Sequence, residues 1–495
     1  MRRAIATIAV LALVASCSSS KRAARPVRPT RTTIAAPANL TVVRVAAAPA
    51  QTIDGFGASG AWWPDDLVKF PPAVRKRVAD MLFSRAGIAL SGYRYNIGGG
   101  GVGVHTAARA PKEEPADTAG LMFLRAASDA HVPILTGFVN SAPPRFTTNG
   151  RSCGGNLKPG TEAAYAQYLA TIVQRLHDDE HVTLQYVSPM NEPDNSFGDC
   201  GQEGMQVPVA QRALVVQALG RALARQAPFA RVVADETTAD AILANEAPQW
   251  LVAPGTTRYL AAIAHHTYDF PNDALRRLVP QVAKRFALPT WMTEICCYKG
   301  SGDVATSFGA QYDPTMTQGL WLADQIYDDF TIANDSAWYW WTALSPVIGC
   351  DPKADPPCVT RVNTKGFNDG LLYYDEKSAA DGVTDIFPTK RFSVLGQFSR
   401  YARPGAVRHD ARGAPRGVSV MAFEQPSGWT VVAWNEGRSE ATLGIALPSP
   451  TSTADAVATS ATQQLSPATA PARTDTGAWL ARIAPQTIVT YTFAK

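Results

Sequence analysis

Two glutamates stand in sequence contexts that suit acid–base chemistry on a glycosidic oxygen. Glu192 follows a β-rich run in the stretch VSPMNEP, and Glu294 ends the stretch WMTE after another such run. Cleavage of a glycosidic bond with retention needs one carboxylate that attacks the anomeric carbon and one carboxylic acid that protonates the leaving oxygen. We therefore predict Glu192 as the acid/base and Glu294 as the nucleophile of a retaining glycoside hydrolase.

Further polar residues end the neighbouring β-rich runs. Asn191, beside the predicted acid, is suited to hydrogen-bond a sugar hydroxyl as positive charge develops on the ring. Asn140 ends another run and is expected to bind the substrate as well. His266 and Tyr268 are expected to hold the Glu294 carboxylate by hydrogen bonds and belong to the same substrate-binding set. No cofactor or metal ion is predicted, because two carboxylates suffice for this reaction.

Aromatic residues and other strand-end residues complete the predicted site. Trp340 and Trp341 offer flat apolar faces on which a sugar ring can stack. Asp235 and Glu236 also follow a β-rich run, but we interpret them as caps of the following helix. His265 is interpreted as a core residue, or as a residue that supports the site from behind, and not as a catalyst.

Because these residues are far apart in the sequence and each follows a β-rich run, they can act together only in a fold that brings the strand ends together. Eight β-rich runs alternate with helical patterns inside 52–402, at 53–57, 90–96, 132–140, 184–190, 232–235, 263–266, 290–293 and 337–341. Strands separated by helices pair in parallel, and eight such units predict an α/β fold of the (β/α)8 barrel type. Glu192 and Glu294 then follow the fourth and seventh strands, which face each other across the barrel mouth. A doubly wound open sheet is the alternative, but the glycine-rich stretch 98–103 follows the second run instead of the first.

A second domain is predicted from residue 403 to the end of the chain. The runs 418–422, 430–435, 441–446 and 487–493 alternate apolar and polar residues with no helices between them, which predicts an antiparallel β-sandwich. The Ser/Thr/Ala/Pro-rich stretch 448–475 is expected to form long loops. A strand within 39–51 is expected to pair with this domain.

Four stretches together resemble family 30 of the glycoside hydrolases. They are IDGFGASG at 53–60, YRYN at 93–96, MNEP at 190–193 and WMTE at 291–294. The resemblance spans about residues 40–495 and implies retention, the two glutamate roles given above, and a sugar-contacting role for Arg94. It also implies a side β-domain built from both chain ends.

Within that family, WMTEICC at 291–297 is most similar to the endo-β-1,6-galactanase branch. Glucosylceramidase and β-1,6-glucanase activities are the alternatives, whereas the glucuronoxylanase branch needs a basic residue for the glucuronic acid that we do not locate. Outside enzymes, a glycan-binding surface lipoprotein and an adhesion or scaffold protein remain as hypotheses. The intact carboxylate pair argues against both.

The N-terminus has the pattern of an export signal. Arg2 and Arg3 precede an apolar run, 4–15, that is too short to span a bilayer. The following VASC resembles the lipobox of bacterial lipoproteins, in which Cys17 is acylated and becomes the mature N-terminus. An ordinary cleaved signal is the alternative. We assign 1–17 as a lipoprotein-type signal peptide and 18–38 as a flexible tether, and expect an exported protein that is lipid-anchored at the cell membrane or extracellular.

Six cysteines besides Cys17 suit an oxidising compartment. Cys153 and Cys200 are expected to form one disulfide, and Cys350 and Cys358 a second. The adjacent pair at 296–297 allows a vicinal bridge, two free thiols or separate partners.

Composition limits the class of partner. Hydrophobic residues make up 46% of the chain and charged residues 18%, so a large globular core is expected. The net charge is only +4 and no basic run lies in the folded part, which argues against nucleic acid. We predict a monomer that acts on an oligo- or polysaccharide and meets the membrane only through its lipid anchor.

Overall fold

The computed structural model describes residues 33–105, 117–300, 304–375 and 384–495. Cys17, the predicted signal peptide and most of the predicted tether lie outside the described residues. Within these ranges, no helix is both long and apolar enough to cross a lipid bilayer.

Eight parallel strands close into a barrel, as the alternation of β-rich and helical stretches predicts. In chain order, the first twelve strands are β1 (Val42–Thr52), β2 (Gly55–Ser59), β3 (Gly92–Asn96), β4 (Ile134–Phe138), β5 (Gly155–Asn156), β6 (Tyr186–Ser188), β7 (Met205–Gln206), β8 (Arg231–Thr237), β9 (Leu260–His266), β10 (Thr290–Glu294), β11 (Ala337–Trp340) and β12 (Thr342–Ser345). The barrel order is β2-β3-β4-β6-β8-β9-β10-β11, closed by β11 pairing with β2. The (β/α)8 prediction is therefore confirmed.

Helices cover the outside of the barrel. They span Trp63–Leu67, Pro72–Phe83, Thr118–Asp129, Glu162–Asp178, Val209–Gln226, Asp240–Leu251, Asp273–Arg276, Val279–Phe286, Val304–Ser307, Met316–Asp328 and Lys390–Ser399. Shorter turns are the 3-10 segments Pro144–Phe146, Thr257–Tyr259 and Pro356–Thr360 and the π segment Asp329–Ala333. In Glu162–Asp178 the apolar residues recur every three or four positions, and that face is buried.

Small residues inside the barrel make room for one large ring. Gly57 and Gly92 lie on adjacent strands, and an added Cβ would lie 2.1 Å and 2.2 Å, respectively, from atoms of Tyr339. The Tyr339 ring fills this space and is itself 1% exposed. The lower barrel is thus a packed core, which leaves the carboxyl ends of the strands as the open face.

The second domain is one ten-stranded sheet that contains both ends of the described chain. Two strands that precede most of it in the chain, β13 (Gly370–Tyr373) and β14 (Phe387–Pro388), form a separate small sheet with β12. Besides β1, the ten-stranded sheet contains β15 (Val407–Arg412), β16 (Val418–Gln425), β17 (Gly428–Asn435), β18 (Ala441–Ala446), β19 (Ala454–Thr459), β20 (Ser466–Pro467), β21 (Ala472–Arg473), β22 (Trp479–Ile483) and β23 (Thr487–Ala494). β1 joins this sheet between β15 and β18, pairing antiparallel with the first and parallel with the second. The sheet curls so that β22 contacts β17 and β23, and it encloses a hydrophobic core of its own.

Two expectations, one about the second domain and one about the predicted tether, are corrected. The stretch 448–475 is not only loop, since β19 lies inside it and pairs with β23 over six residue positions. Propensity alone misses this strand because it is rich in alanine, and pairing with β23 supplies the missing stabilisation. At the end of the predicted tether, the Ile34 amide donates to Arg473 O at 3.0 Å, so this part of the tether contacts the sheet.

Candidate active site

Two carboxylates meet at the carboxyl ends of the barrel strands. Glu192 follows β6, the fourth barrel strand, and Glu294 ends β10, the seventh. An oxygen of Glu192, an oxygen of Glu294 and a ring nitrogen of His266 all lie within 4.8 Å of one another. Both glutamates line a cleft of about 790 Å³. The strands thus bring together two residues that are distant in sequence, as the barrel geometry predicts.

Glu192 has a hydrogen-bond partner on each carboxyl oxygen. His266 Nδ1 lies 3.1 Å from Oε1, and Asn195 Nδ2 donates to Oε2 at 2.9 Å. Asn195 was not predicted, although it stands only three positions after Glu192 in the same loop. Together the two partners fix the rotamer of the carboxyl group and aim it into the cleft.

The backbone at Glu192 is also fixed. Its φ is 45°, in the left-handed region that a glutamate rarely adopts. The Glu192 amide donates to Glu236 O at 3.0 Å, and the Asn195 amide donates to Glu192 O at 2.9 Å. Strained residues of this kind persist only where their surroundings hold them, and they cluster at active sites.

Burial gives Glu192 the pKa of an acid that works near neutral pH. Removal from water raises the pKa of Glu192 to about 7, and the Asn195 hydrogen bond opposes that rise. A general acid is most effective when its pKa lies near the working pH. Glu192 therefore has the protonation behaviour that the acid/base role requires.

Glu294 lies among donors that favour its charged form. Arg94 Nη1 donates to Oε2 at 2.8 Å, and the Tyr268 hydroxyl donates to Oε1 at 2.9 Å. Burial raises the pKa of Glu294, and the Arg94 charge opposes this rise. A guanidinium and a phenol directed at one carboxylate orient it as a nucleophile.

Arg94 differs from its expected role. The resemblance to the family implied a sugar contact, but Arg94 is 1% exposed and does not line the cleft. Its Nη2 donates to Glu236 Oε2 at 2.7 Å and to Asn191 Oδ1 at 3.2 Å. Arg94 thus lies beneath the site and holds three of its side chains in place.

The interpretation of Asp235 and Glu236 as helix caps is wrong. The helix Asp240–Leu251 begins after Ala239, which makes no side-chain cap hydrogen bond. Glu236 is fully buried in the barrel against Arg94, and Asp235 pairs with Arg212 at 2.8 Å. Both acids had buried arginine partners on distant parts of the chain, and no local pattern indicates such partners.

The hydrogen-bond partner of His266 differs from the expected one. It was expected to hold the nucleophile, but its Nδ1 lies 3.1 Å from Glu192 and 3.9 Å from Glu294. Burial lowers the pKa of His266, and the nearby carboxylates of Glu294 and Glu236 oppose that decrease. An imidazole at hydrogen-bond distance from Glu192 can accept or donate a proton as the carboxyl changes state.

His265, by contrast, is a core residue as expected. It is fully buried between Asp240 at 2.9 Å and Asp335 at 3.0 Å. Burial lowers its pKa, but the two carboxylates outweigh burial and raise the pKa of His265 well above its usual value.

The predicted sugar-contacting residues divide into two groups. Asn140, Asn191 and Trp341 line the cleft, and Asn140 Nδ2 also donates to Asn96 at 3.2 Å. Trp340 is fully buried and donates through Nε1 to Asp369 O, so it does not reach the cleft and cannot stack on a sugar. Trp62 takes its place, because its ring lies 5.5 Å from that of Trp341 at the cleft wall.

The described lining of the cleft is acidic. It contains the carboxyl groups of Glu192, Glu294, Asp66, Asp199 and Asp369, and no lysine or arginine. A cleft of this kind suits the hydroxyl groups of neutral sugars, and it repels carboxylated ones.

Glu192, His266 and Glu294 are also the described side chains whose donor atoms lie close enough to hold a metal ion. His266 Nδ1 already lies at hydrogen-bond distance from Glu192, and Arg94 places a positive charge on Glu294. A divalent cation would have to compete with both, so these residues fit a proton-transfer site better than a metal site.

Three disulfides join the cysteines of the described residues. Cys153 is bonded to Cys200, and Cys350 to Cys358, as predicted. For the adjacent cysteines, the structure has the vicinal bridge: Cys296 is bonded to Cys297, and both line the cleft two and three positions after Glu294.

The glycine-rich stretch lies in the loop after β3. The Gly99 and Gly101 amides donate to Oε1 of the buried Glu203 at 3.0 Å and 3.2 Å. Gly100, Gly101 and Gly103 have φ values of 90°, 70° and 81°, which explains the choice of glycine there.

Known proteins are similar to this chain in sequence and in fold. Residues 40–351 match the model of O-glycosyl hydrolase family 30, which is more than half of the chain. An endo-β-1,6-galactanase of Hypocrea rufa is 25% identical over 264 residues, which are 52% of this chain and 45% of that protein. The match therefore spans less than half the length of this curated relative.

Solved structures extend the likeness to the side domain. A conserved exported protein of Bacteroides fragilis superposes with a TM-score of 0.77 at 19% identity, covering 91% of this chain and 99% of the other. The catalytic domain of a family 30 xylanase C from Talaromyces cellulolyticus gives 0.71 at 21% identity, covering 92% and 100%. The barrel and the β-domain thus form one shared fold.

Proposed function

Because the chain belongs to O-glycosyl hydrolase family 30, we propose that it hydrolyses a β-linked glycan with retention of configuration at the anomeric carbon. The observation that carries this proposal is the proximity of Glu192 and Glu294, whose nearest oxygens lie within 4.8 Å in one cleft. Retaining enzymes place their carboxyl groups about 5–5.5 Å apart, whereas inverting enzymes leave about 6.5–9.5 Å for a water molecule.

In the first step, the Glu294 carboxylate attacks the anomeric carbon. The bond from that carbon to the glycosidic oxygen breaks, and Glu192 gives its proton to the departing oxygen. Arg94 and Tyr268 hold Glu294 in the attacking position through hydrogen bonds of 2.8 Å and 2.9 Å. Asn191 lines the same cleft as the two glutamates and is placed to hydrogen-bond the sugar that reacts.

In the second step, Glu192 acts as a base. It takes a proton from water, the water oxygen bonds to the anomeric carbon, and the Glu294 carboxylate leaves. The two inversions together give net retention. A pKa of about 7 allows Glu192 to give a proton in one step and take one in the next.

The substrate we propose is a β-1,6-linked galactan. The similarity of 291–297 to the galactanase branch and the endo-β-1,6-galactanase relative support it. The cleft supports a neutral glycan, since its described lining has five carboxylates and no lysine or arginine. A glucuronoxylan would bring further negative charge into that cleft.

Glucosylceramide and β-1,6-glucan are the alternative substrates. The purified enzyme should be incubated with β-1,6-galactan, β-1,6-glucan, glucuronoxylan and a fluorescent glucosylceramide, and the released sugars measured. Galactan is expected to give the highest kcat/KM. Preference for the glucan or the ceramide would assign the alternative, and preference for glucuronoxylan would contradict the argument from charge.

The stereochemistry has its own experiment. Proton NMR of the reaction in its first minutes should show the β-anomer before mutarotation. An initial α-anomer would mean inversion and would contradict the two-step mechanism. Binding of glycans without turnover would favour the non-catalytic surface lipoprotein, for which the site offers no support.

We also propose that the protein is exported and held at the membrane by an acylated Cys17. The support is the sequence VASC after a short apolar run.

A further inference from the structure

One large aromatic side chain in the cleft is exposed and has no part in the mechanism. Phe308 is 45% exposed. Among the described residues, it is the exposed large hydrophobic side chain that lines the cleft. The others, Ile34, Val68, Val102, Leu214, Val252 and Val362, lie outside the cleft. An aromatic face open to solvent inside a glycan cleft is a surface that a sugar ring can cover.

Phe308 stands on a short antiparallel pairing that begins directly after the nucleophile. Tyr298 and Phe308 form a β-bridge. On either side of that bridge, the Gly309 amide donates to Cys297 O at 3.1 Å and the Lys299 amide donates to Ser307 O at 2.7 Å. We call these two arms, 296–300 and 307–309, the Phe308 hairpin.

The vicinal disulfide lies at the base of this hairpin. Cys296 and Cys297 are bonded to each other and are 2% and 4% exposed. The bond closes a small covalent ring that includes the peptide between the two residues, so it restricts the backbone from which the hairpin starts. The Cys297 amide also donates to Asn368 O at 3.3 Å, which ties this base to the neighbouring loop.

Tyr268 connects Phe308 to the reaction centre. Its hydroxyl donates to Glu294 at 2.9 Å, and its ring lies 5.8 Å from the Phe308 ring at 80°. The sugar that reacts must contact Glu294 and Glu192, with Tyr268 at its side. Phe308 is then placed beside the next sugar of the chain.

We propose that Phe308 is a stacking platform for the sugar unit adjacent to the one that reacts, and that the Cys296–Cys297 disulfide fixes the hairpin that presents it. The proposal rests on the glycan hydrolysis proposed above and adds a specificity-determining residue to it. The ring contacts the C–H face of a pyranose, so its contribution appears only with substrates long enough to reach it.

The test compares Phe308→Ala and Phe308→Trp on two substrates. On a β-1,6-galactotetraose, Phe308→Ala is expected to raise KM about 5- to 10-fold with kcat within about twofold, the effect of losing one aromatic contact. Phe308→Trp should keep the wild-type KM. On 2,4-dinitrophenyl β-galactoside, which has a single sugar, both variants should match the wild type. An unchanged KM on the tetraose, or equal losses on both substrates, would overturn the proposal.

The disulfide is tested with the double variant Cys296→Ser/Cys297→Ser. It should raise KM on the tetraose as Phe308→Ala does, and it should add little to Phe308→Ala when the two are combined, because both act on one contact. Cys350→Ser/Cys358→Ser is the matched control, since that disulfide does not line the cleft. A lower kcat on the dinitrophenyl galactoside would mean that the disulfide positions Glu294 instead. The Phe308 variants change an exposed side chain, so they carry the test even if the serine pair fails to fold.

The two proposals fail separately. If the wild type cleaves another glycan of the panel but not galactan, the substrate proposal falls, and the same variants are compared on an oligomer of that glycan. If the preferred oligomer is cleaved with the same KM by Phe308→Ala and the wild type, only the stacking platform is lost.

Discussion

Arg94 lies under Glu294 without reaching the cleft: its Nη1 donates to Glu294 Oε2 at 2.8 Å, and its side chain is 1% exposed. The same guanidinium donates through Nη2 to Glu236 and Asn191. The guanidinium carbon Cζ of Arg94 also lies 4.0 Å from the centre of the Phe138 ring, and this stacking fixes the orientation of the guanidinium group. Arg94 is therefore a positioning residue that acts on the substrate through other side chains.

Arg94→Lys is expected to lower kcat on oligosaccharides about 10- to 100-fold, equivalent to about 1.4 to 2.7 kcal/mol of transition-state stabilisation. Lysine keeps the charge but cannot donate to Glu294, Glu236 and Asn191 with one planar group. KM should change little, because Arg94 does not line the cleft. Steady-state kinetics measure both parameters.

Arg276→Lys is the matched control. Arg276 is buried and pairs with Asp329 at 3.0 Å, away from the two glutamates. We expect both Arg276→Lys and Arg94→Lys to lower Tm, because each removes a buried guanidinium, but kcat of Arg276→Lys should stay near the wild-type value. If both variants lose kcat in proportion to Tm, Arg94 has only a stabilising role.

Reaction with azide distinguishes the proposed roles of Glu192 and Glu294. Glu294→Gln should abolish formation of the glycosyl-enzyme, and azide should not restore a product of retained configuration. Glu192→Ala should still react with 2,4-dinitrophenyl glycosides in the first step, because that leaving group needs little protonation. Azide should then accelerate its second step and give a β-glycosyl azide. NMR of the azide products is the measurement, and a β-azide from the Glu294 variant would reverse the two roles.

The pH dependence should report the protonation of Glu192. Its pKa is raised to about 7 by burial, and the first step needs the protonated acid, so kcat/KM should fall as the pH rises through about 7. The Asn195 hydrogen bond stabilises the carboxylate and lowers this pKa. Asn195→Ala should therefore move the alkaline limb of the profile to higher pH, by about 1 to 2 units for one hydrogen bond to a charged group.

Asn272→Ala controls for the general effect of an asparagine substitution. Asn272 caps a helix away from the cleft by accepting from the Ala274 amide at 2.9 Å, and its loss should leave the pH profile unmoved. A downward shift for Asn195→Ala would mean that the alkaline limb does not belong to Glu192.

The sequence could predict the barrel and the meeting of Glu192 and Glu294 at its open face because both follow local rules. Eight β-rich runs between helical patterns define the strands, and the barrel places the ends of its fourth and seventh strands opposite each other. Glu192 and Glu294 could be selected because each ends such a run. His266 Nδ1 lies 3.1 Å from Glu192 and 3.9 Å from Glu294, so Glu192 is its hydrogen-bond partner. No sequence pattern determines so small a difference in distance.

The residues that were missed depend on distant partners. Glu236 stands near the end of a β-rich run, where the sequence suggests a helix cap, but it lies within β8 and its partner Arg94 stands 142 positions earlier in the chain. Phe308 lines the cleft only because its arm pairs with the residues that follow Glu294. In the second domain, β19 is a strand because β23 lies beside it. Each is a tertiary contact, which local propensity does not encode.

Chelation should leave the activity unchanged. Overnight dialysis against EDTA is expected to preserve kcat and KM, since two carboxylates supply both the proton and the nucleophile. Glu192, His266 and Glu294 have the geometry of a metal cluster, so the experiment is a direct test of their chemistry. If activity disappears and returns with added zinc or calcium, these three residues hold a cation and the proton-transfer mechanism is wrong.

Cys17 should determine where the protein is found. If it is acylated, the wild type should partition into the membrane fraction and into detergent, and Cys17→Ser should release the protein into the soluble fraction. The physical reason is that each buried CH₂ of an acyl chain contributes about 0.8 kcal/mol, so two or three chains hold a large soluble domain at a bilayer. Cys350→Ser/Cys358→Ser serves as the control for losing other cysteines and should stay with the membrane. Mass spectrometry of the wild-type N-terminus completes the test: an unmodified N-terminus beyond Cys17 on a wholly soluble protein would reject the anchor. The enzymatic proposal would survive that outcome, because Glu192 and Glu294 lie far along the chain from Cys17 and need no lipid to act.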